Sequence, residues 1–165
     1  IDICHQADEM MTLDELVSFL NSSKAEFEII EHSEPILTVK DADQYFEPDK
    51  AVPVFIMHTN EGFFAFIVSG KTLKNRKLDF VKWGKKLGFH KFKLASEDDI
   101  LYHTGYEAGS VPLIGHNLPI ILDNNILDLP FIYGGTGNKY ATLKIYPPDL
   151  LRLSKQVLVV DMQND

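Results

Sequence analysis

The stretch Gly105-Tyr106-Glu107-Ala108-Gly109-Ser110-Val111-Pro112-Leu113-Ile114-Gly115 runs almost directly into Leu118-Pro119-Ile120-Ile121-Leu122-Asp123, and the reading of the chain turns on this pair. Three glycines in the first segment admit backbone angles closed to other residues. Pro112 fixes its own φ and removes an N–H, so the segment is a loop, neither helix nor ordinary strand. The second segment is an apolar strand that ends on a carboxylate. A Gly/Ser loop delivered by a rigid strand is a common way to present backbone N–H groups to a ligand. A tight connection that needs glycine only for its geometry fits the same residues.

Upstream, Thr12 and Glu15 have capping-box spacing and open a helix with Leu13, Leu16, Val17 and Leu20 on one side, closed at Asn21-Ser22-Ser23. Phe27 to His32 alternates as a half-buried strand. Thr38 caps a short helix from Val39 to about Phe46, which Pro48 stops. Lys50 leads the apolar strand Ala51 to Met57, in which Pro53 marks an edge or a bulge. Thr59-Asn60-Glu61-Gly62 turns into Phe63 to Val68 and makes a hairpin. Leu78-Asp79 begins a helix through Val81, Trp83 and Leu87 that Gly88 ends. A short strand, Lys91 to Leu94, precedes a helix capped by Ser96 and running to about His103.

Downstream of Asp123 come a turn at Asn124-Asn125, an apolar stretch through Phe131-Ile132-Tyr133, and a second loop, Gly134-Gly135-Thr136-Gly137-Asn138. That loop is a poor phosphate cradle, because the strand Tyr140 to Ile145 follows it where a helix would be needed. Pro147-Pro148 starts a helix from Asp149 to Ser154, and Val157 to Val160 forms a last strand or packs as a tail. Strands outnumber helices and are often hairpin-linked. The fold class is therefore α+β, with a mixed, largely antiparallel sheet and surrounding helices.

A chain of 165 residues with 45% hydrophobic content suits one domain, residues 1–165, with a sizeable core. The single cysteine, Cys4, excludes an internal disulfide framework and a cysteine-based zinc site. No apolar run is long enough to cross a bilayer and no signal peptide opens the chain, so the default location is reducing and cytoplasmic. The net charge of −8 hides an uneven distribution. Lys71, Lys74, Arg76, Lys77, Lys82, Lys85, Lys86, Lys91 and Lys93 face only Asp79 in their own segment. Such a patch binds phosphates on an otherwise acidic protein, or is a solvated helix face. No Gly-x-Ser-x-Gly elbow, Walker loop, His-Glu-x-x-His or dinucleotide fingerprint occurs. The histidines, His5, His32, His58, His90, His103 and His116, never share a predicted face at metal spacing and read as structural or surface groups. What remains is a lysine leading a strand, a Gly/Ser/Pro loop, and a carboxylate closing a strand.

In that order the residues resemble the YbaK/prolyl-tRNA-synthetase-associated domain, a family of free-standing trans-editing proteins that includes the insertion domain of bacterial prolyl-tRNA synthetase. The likeness runs from about Phe27 to Leu153. It is carried by Ile30-Glu31-His32-Ser33, by Lys50 before its strand, and by Leu78-Asp79-Phe80-Val81-Lys82 with Leu87-Gly88. Leu94-Ala95-Ser96-Glu97-Asp98, Thr104-Gly105, Gly109-Ser110-Val111, Pro119 to Asp123 and Pro148-Asp149-Leu150-Leu151 continue it. Two departures stand out. The family's loop is commonly Gly-x-x-x-Pro-x-Gly, whereas here Pro112 comes one position early and Leu113 occupies the proline's place. Ala51 follows the lysine where relatives often carry Asn or Thr.

The resemblance implies an aminoacyl-tRNA deacylase that hydrolyses the ester of a small mischarged amino acid, of the tRNA-Pro type. A synthetase pocket discriminates one methylene by only about 1–3 kcal/mol, so a second site must remove the errors. By this likeness Lys50 engages the terminal phosphate or the ester, and the backbone N–H groups at Gly109, Ser110 and Val111 hold the aminoacyl group or the developing oxyanion. His32, Pro112, Gly115, Asp123 and Gly135 contribute to substrate binding, Asp123 either through the α-ammonium or by anchoring the loop. Val52, Val111, Leu113 and Ile114 line the pocket or serve as plain core. Water is the nucleophile, and no metal or cofactor is implied. The partners are the acceptor end of a mischarged tRNA, lying along Lys71, Lys74, Arg76 and Lys82, and prolyl-tRNA synthetase. The competing class is a non-catalytic module on the same fold, one that binds an amino acid or nucleotide or that serves a regulatory, partner-binding role.

Overall fold

The computed structural model describes residues 11–36, 39–42, 45–75 and 78–162, without the side chains of 39–40 and 74–75. Helix α1 (Leu13–Ser22) starts on the expected capping box. Thr12 Oγ1 accepts from the Glu15 N–H at 3.2 Å, and the Glu15 carboxylate accepts from the Thr12 N–H at 3.0 Å. Two of the four orphan N–H groups of the first turn are thereby met, and Leu16 and Leu20 turn into the core. Then follow β1 (Phe27–Glu31), α2 (Val39–Ala42), a 3₁₀ turn at Pro48–Lys50, and the hairpin β2 (Val54–Thr59) and β3 (Gly62–Ile67). The chain continues through α3 (Gly70–Asn75), α4 (Phe80–Leu87), β4 (Phe92–Leu94) and α5 (Glu97–Thr104). After the glycine loop come β5 (Ile120–Asp123), a 3₁₀ turn at Asn124–Asp128, β6 (Ile132–Gly135), β7 (Ala141–Ile145), α6 (Pro147–Leu153) and β8 (Val157–Val160).

The strands form two sheets, one ordered β1-β7-β6 and the other β4-β2-β3-β5-β8. All pairings are antiparallel except β3 with β5 and β5 with β8. The architecture is thus α+β with mixed, largely antiparallel strands, as read from the sequence. Side chains alternate across the five-stranded sheet. Ile56, Ala65, Ile67, Ile120 and Leu122 enter one core with α1, α6 and the three-stranded sheet. Met57, Phe66, Val68 and Ile121 enter a second core with Trp83 of α4 and Phe92. A strand buried on both faces reads as a continuous apolar run, which is why β3 and β5 show little polar alternation.

Four details differ from the sequence reading. Strand β2 begins at Val54 rather than Ala51, because Pro53 has no N–H for the ladder; its carbonyl instead accepts from Val68. Ala51 and Val52 are drawn to the other sheet by a bridge to Tyr133 and a 2.9 Å bond from the Val52 N–H to the Tyr133 carbonyl. Gly134 and Gly135 belong to β6 rather than to a loop. A side chain at Gly134 would overlap Leu113, so glycine there serves close packing. Helix α3 was not foreseen; its signal was Ser69, whose hydroxyl accepts from the Thr72 N–H at 3.1 Å. Helix α2 is described over Val39–Ala42 and Phe46 is outside a helix; residues 43–44 and the expected cap Thr38 lie outside the described residues.

Candidate functional site

A cavity of about 350 Å³ opens between the two sheets. Its walls come from Val52 to Ile56, from Tyr133, Gly134 and Gly135 of β6, from Ala141 and Thr142 of β7, and from Ile100 of α5. Gly109, Ser110 and Val111 of the central loop close one side, and Phe46 and Ile36 another. The lining is mostly apolar with a few convergent polar groups, the usual composition of a small-molecule site.

The loop is held by contacts that the sequence distributes over the whole chain. Tyr106 is buried, and its hydroxyl donates to the Met11 carbonyl at 3.0 Å and accepts from the Met11 N–H at 2.9 Å. Gly137, at φ +92°, lies against that ring; a Cβ there would sit 2.5 Å from Tyr106 Cε1. Leu113 is fully buried, and its N–H donates to the Gly135 carbonyl at 3.1 Å. Proline at that position has no N–H to give. The early Pro112 therefore leaves position 113 with an N–H, which ties the loop to β6.

Of the expected backbone donors, the Ser110 N–H is engaged within the loop, donating to the Glu107 carbonyl at 3.0 Å. The Gly109 and Val111 N–H groups make no hydrogen bond to another described residue, and both residues border the cavity. Ser110 lines it as well. Pro112 is buried behind the loop, and Gly115 packs near Met11 and the Tyr106 hydroxyl, away from the lining. Gly135 is in the wall, where an added Cβ would come 2.9 Å from the Val111 carbonyl. Val52 and Val111 line the cavity, whereas Leu113 and Ile114 are core.

His32 stands one step behind the wall. Its Nδ1 lies 2.6 Å from the Glu34 carbonyl, which must be accepting, so Nδ1 carries the proton. Nε2 then accepts from the Thr142 hydroxyl at 3.1 Å, and Thr142 borders the cavity. The imidazole orients a cavity hydroxyl rather than touching a substrate itself.

Lys50 closes the 3₁₀ turn and precedes the lining residues Ala51 and Val52. Gly70 fits beneath this turn where any Cβ would overlap the Pro48 carbonyl, and the Gly70 N–H donates to the Ala51 carbonyl at 2.8 Å. The ammonium points along the rim rather than into the cavity. It lies 3.4 Å from the Glu47 carboxylate and 4.7 Å from the Phe131 ring centre. The Glu47 side chain is 71% exposed, so this ion pair is worth little and an incoming phosphate would compete well for the lysine.

Asp123 is not brought to the cavity. It is fully buried, and it accepts from the Ser69 N–H at 2.9 Å, the Thr72 hydroxyl at 2.6 Å and the Asn125 N–H at 2.9 Å. Those bonds join the end of β5 to the start of α3 and leave no room for an ammonium. The basic segment is also dispersed. Lys82 is on α4, whose Trp83 packs on the opposite face of the five-stranded sheet from Ile56 of the cavity wall. Lys71 is exposed on α3; the Lys74 side chain and Arg76 lie outside the described residues. Among the described residues no group of three or more potential ligands could hold a metal ion, and no helix is long and apolar enough to cross a membrane.

Sequence reasoning missed the aromatic residues of the rim. Phe46 and Tyr133 stack at 4.3 Å between ring centres, and Phe131 meets Tyr133 edge-on at 5.3 Å. They come from separate segments, so no local spacing marks them.

Two packed sheets enclose a cavity beneath a glycine loop, with a lysine at its rim, in an α+β fold. The chain belongs to the aminoacyl-tRNA editing domain family, whose profile matches residues 33–153. No curated protein matches the sequence significantly. Among solved structures, a candidate trans-editing enzyme for prolyl-tRNA synthetase is similar at 25% identity and a TM-score of 0.74, covering 94% of this chain and 99% of the other. A scaffold protein from work on epitope backbone grafting by computational design is similar at 25% identity and 0.75, covering 93% and 97%. A hypothetical protein shares the fold at 21% identity and 0.74, covering 87% and 96%.

Proposed function

We propose that this protein is an aminoacyl-tRNA deacylase that hydrolyses the ester of a small mischarged amino acid, of the tRNA-Pro type. The observation that carries the reading is the pair of N–H groups at Gly109 and Val111, engaged by no described residue, beside a small, mostly apolar cavity, in a chain of the editing family. The aminoacyl group enters the cavity, and its side chain meets Val52, Val54 and Ile100. A water attacks the ester carbonyl, and the oxygen that gains negative charge is held by the two N–H groups. Donors preorganised at that oxygen are worth about 3–4 kcal/mol each in comparable sites. Collapse of the tetrahedral intermediate breaks the bond to the ribose oxygen, which takes up a proton. The free amino acid and a tRNA with its terminal hydroxyl restored are released. Lys50 leaves Glu47 for the phosphate next to the terminal adenosine, and Thr142, oriented by His32, hydrogen-bonds the bound group. The similarity to a candidate trans-editing enzyme for prolyl-tRNA synthetase supports tRNA-Pro as the carrier and prolyl-tRNA synthetase as the source of the error.

The test is hydrolysis of Ala-, Cys-, Ser- and Pro-tRNA by the native protein and by Lys50→Ala. One small-residue ester should disappear rapidly, and the substitution should slow it by at least about tenfold, the loss of one charge-assisted contact. If no ester turns over faster than in buffer, the deacylase reading fails, and the cavity belongs to a non-catalytic binding module.

A further inference from the structure

Aromatic rings form an unbroken series along the rim of the cavity. His32 stacks on Tyr45 at 5.3 Å, Tyr45 meets Phe46 at 6.2 Å, and Phe46 stacks on Tyr133, which contacts Phe131. Phe46 and Tyr133 are themselves part of the cavity wall, and the series ends on Phe131. Two ammonium groups converge on that last ring, Lys50 Nζ at 4.7 Å and Lys144 Nζ at 4.2 Å from its centre. Lys144 is placed there by register: it pairs with Tyr133 across β6 and β7, so both side chains leave the same face of the sheet. Among the described residues Lys144 makes no ion pair, and Lys50 has only the exposed Glu47.

Two like charges drawn to one ring, with no buried counter-ion among the described residues, cost Coulomb energy that an incoming anion would relieve. Beside them is a ring series whose members cover part of one another, with Tyr45 exposed at 40% and Phe46, Tyr133 and Phe131 half-buried, so that the outer parts of the rings are what a base can meet. Cations for the backbone and rings for the bases are what hold single-stranded nucleic acid without regard to sequence. Base-paired RNA does not fit the same surface, since its bases are stacked on one another and their faces are covered.

We propose that Tyr45, Phe46, Tyr133 and Phe131, with Lys50 and Lys144, form the binding track for the unpaired 3′-terminal nucleotides of a tRNA, leading the last of them into the cavity. This rests on the deacylase reading for its direction, from Phe131 toward the cavity, but not for the binding itself. It sets the RNA on the face of the three-stranded sheet rather than along Lys82 and its neighbours on α4.

The experiment is fluorescence anisotropy with a labelled RNA oligonucleotide that ends in CCA, measured single-stranded and annealed to its complement over a salt series. The variants are Phe131→Ala, Lys144→Gln and, on the far face, Lys85→Ala. Loss of one stacking ring predicts at least about fivefold weaker single-strand binding by Phe131→Ala. Lys144→Gln, a surface change that keeps most of the stem, should weaken binding and lower the log–log salt slope by about 0.7. Lys85→Ala should bind as the native protein does. Equal affinity and equal salt slope for native protein, Phe131→Ala and Lys144→Gln would overturn the proposal, as would a preference for the annealed form. Track-dependent binding without hydrolysis of any charged tRNA would uphold the track and refute the deacylase. Hydrolysis with a KM that neither substitution moves would do the reverse.

Discussion

His116 makes the stability of this protein depend on acid in a way that one substitution should remove. The ring is buried immediately after the glycine loop, and its Nδ1 accepts from the Leu118 N–H at 3.0 Å. The neutral form with its proton on Nε2 is thus the one that the fold accommodates, and Nε2 is enclosed without a well-formed hydrogen bond. Burial lowers the pKa from the ordinary 6.5 to about 4, with the Leu113 backbone opposing the change only in part. Between those two values the unfolded chain holds the proton and the folded chain does not, so stability falls as the pH falls. Each tenfold difference in proton affinity between the two states corresponds to about 1.4 kcal/mol. The loss is therefore about 2 kcal/mol on going from pH 7 to pH 5 and about 3 kcal/mol once the pH is below 4. For a chain of this size 2 kcal/mol is a fall of about 4–8 °C in Tm. The assay is thermal and urea unfolding of the native protein and of His116→Asn, whose amide oxygen can accept from Leu118 but does not titrate. The variant should lose this part of the acid dependence and keep the smaller part that His103 contributes, whose pKa burial also lowers. Parallel stability–pH curves for the two proteins would refute the reasoning.

Three further outcomes follow from single contacts. Gly137→Ala forces a side chain into φ +92° and to within 2.5 Å of the Tyr106 ring; it should cost about 2 kcal/mol or more by urea unfolding. Asp123→Ala leaves the Ser69 N–H, the Thr72 hydroxyl and the Asn125 N–H without their buried acceptor. A loss of at least about 3 kcal/mol is expected, and Asp123→Asn should recover part of it in the same measurement. Thr12→Ala removes one half of the capping box of α1 and should lower stability by about 1 kcal/mol, read from the urea midpoint.

Much of the fold was legible because its signals are local. Thr12 with Glu15, Asp79 with Gly88, and Ser96 each cap a helix through side-chain or backbone bonds within a few residues. The turn at Asn60-Glu61 pairs Thr59 with Gly62, so hairpin spacing alone located it. Misreadings arose where a partner from elsewhere overrode the local pattern. Gly134 and Gly135 look like a loop until Leu113 and Val111 are seen packed against them. Ala51 and Val52 look like the start of a strand until Tyr133 draws them to the other sheet.

The candidate site shows the same division. The sequence alone determined that Gly109, Ser110 and Val111 form a loop, that Lys50 sits before an apolar strand, and that the chain resembles an editing domain, because each is a matter of residue type and short spacing. Only the tertiary structure decided that the Ser110 N–H is engaged while those of Gly109 and Val111 meet no described partner, and that Asp123 ties β5 to α3. It also decided that Lys50 and Lys144 share the Phe131 ring. The physical reason is that hydrogen bonds and ring contacts reach only a few ångströms. Between residues far apart in the chain they are set by how two sheets pack, which no local pattern records.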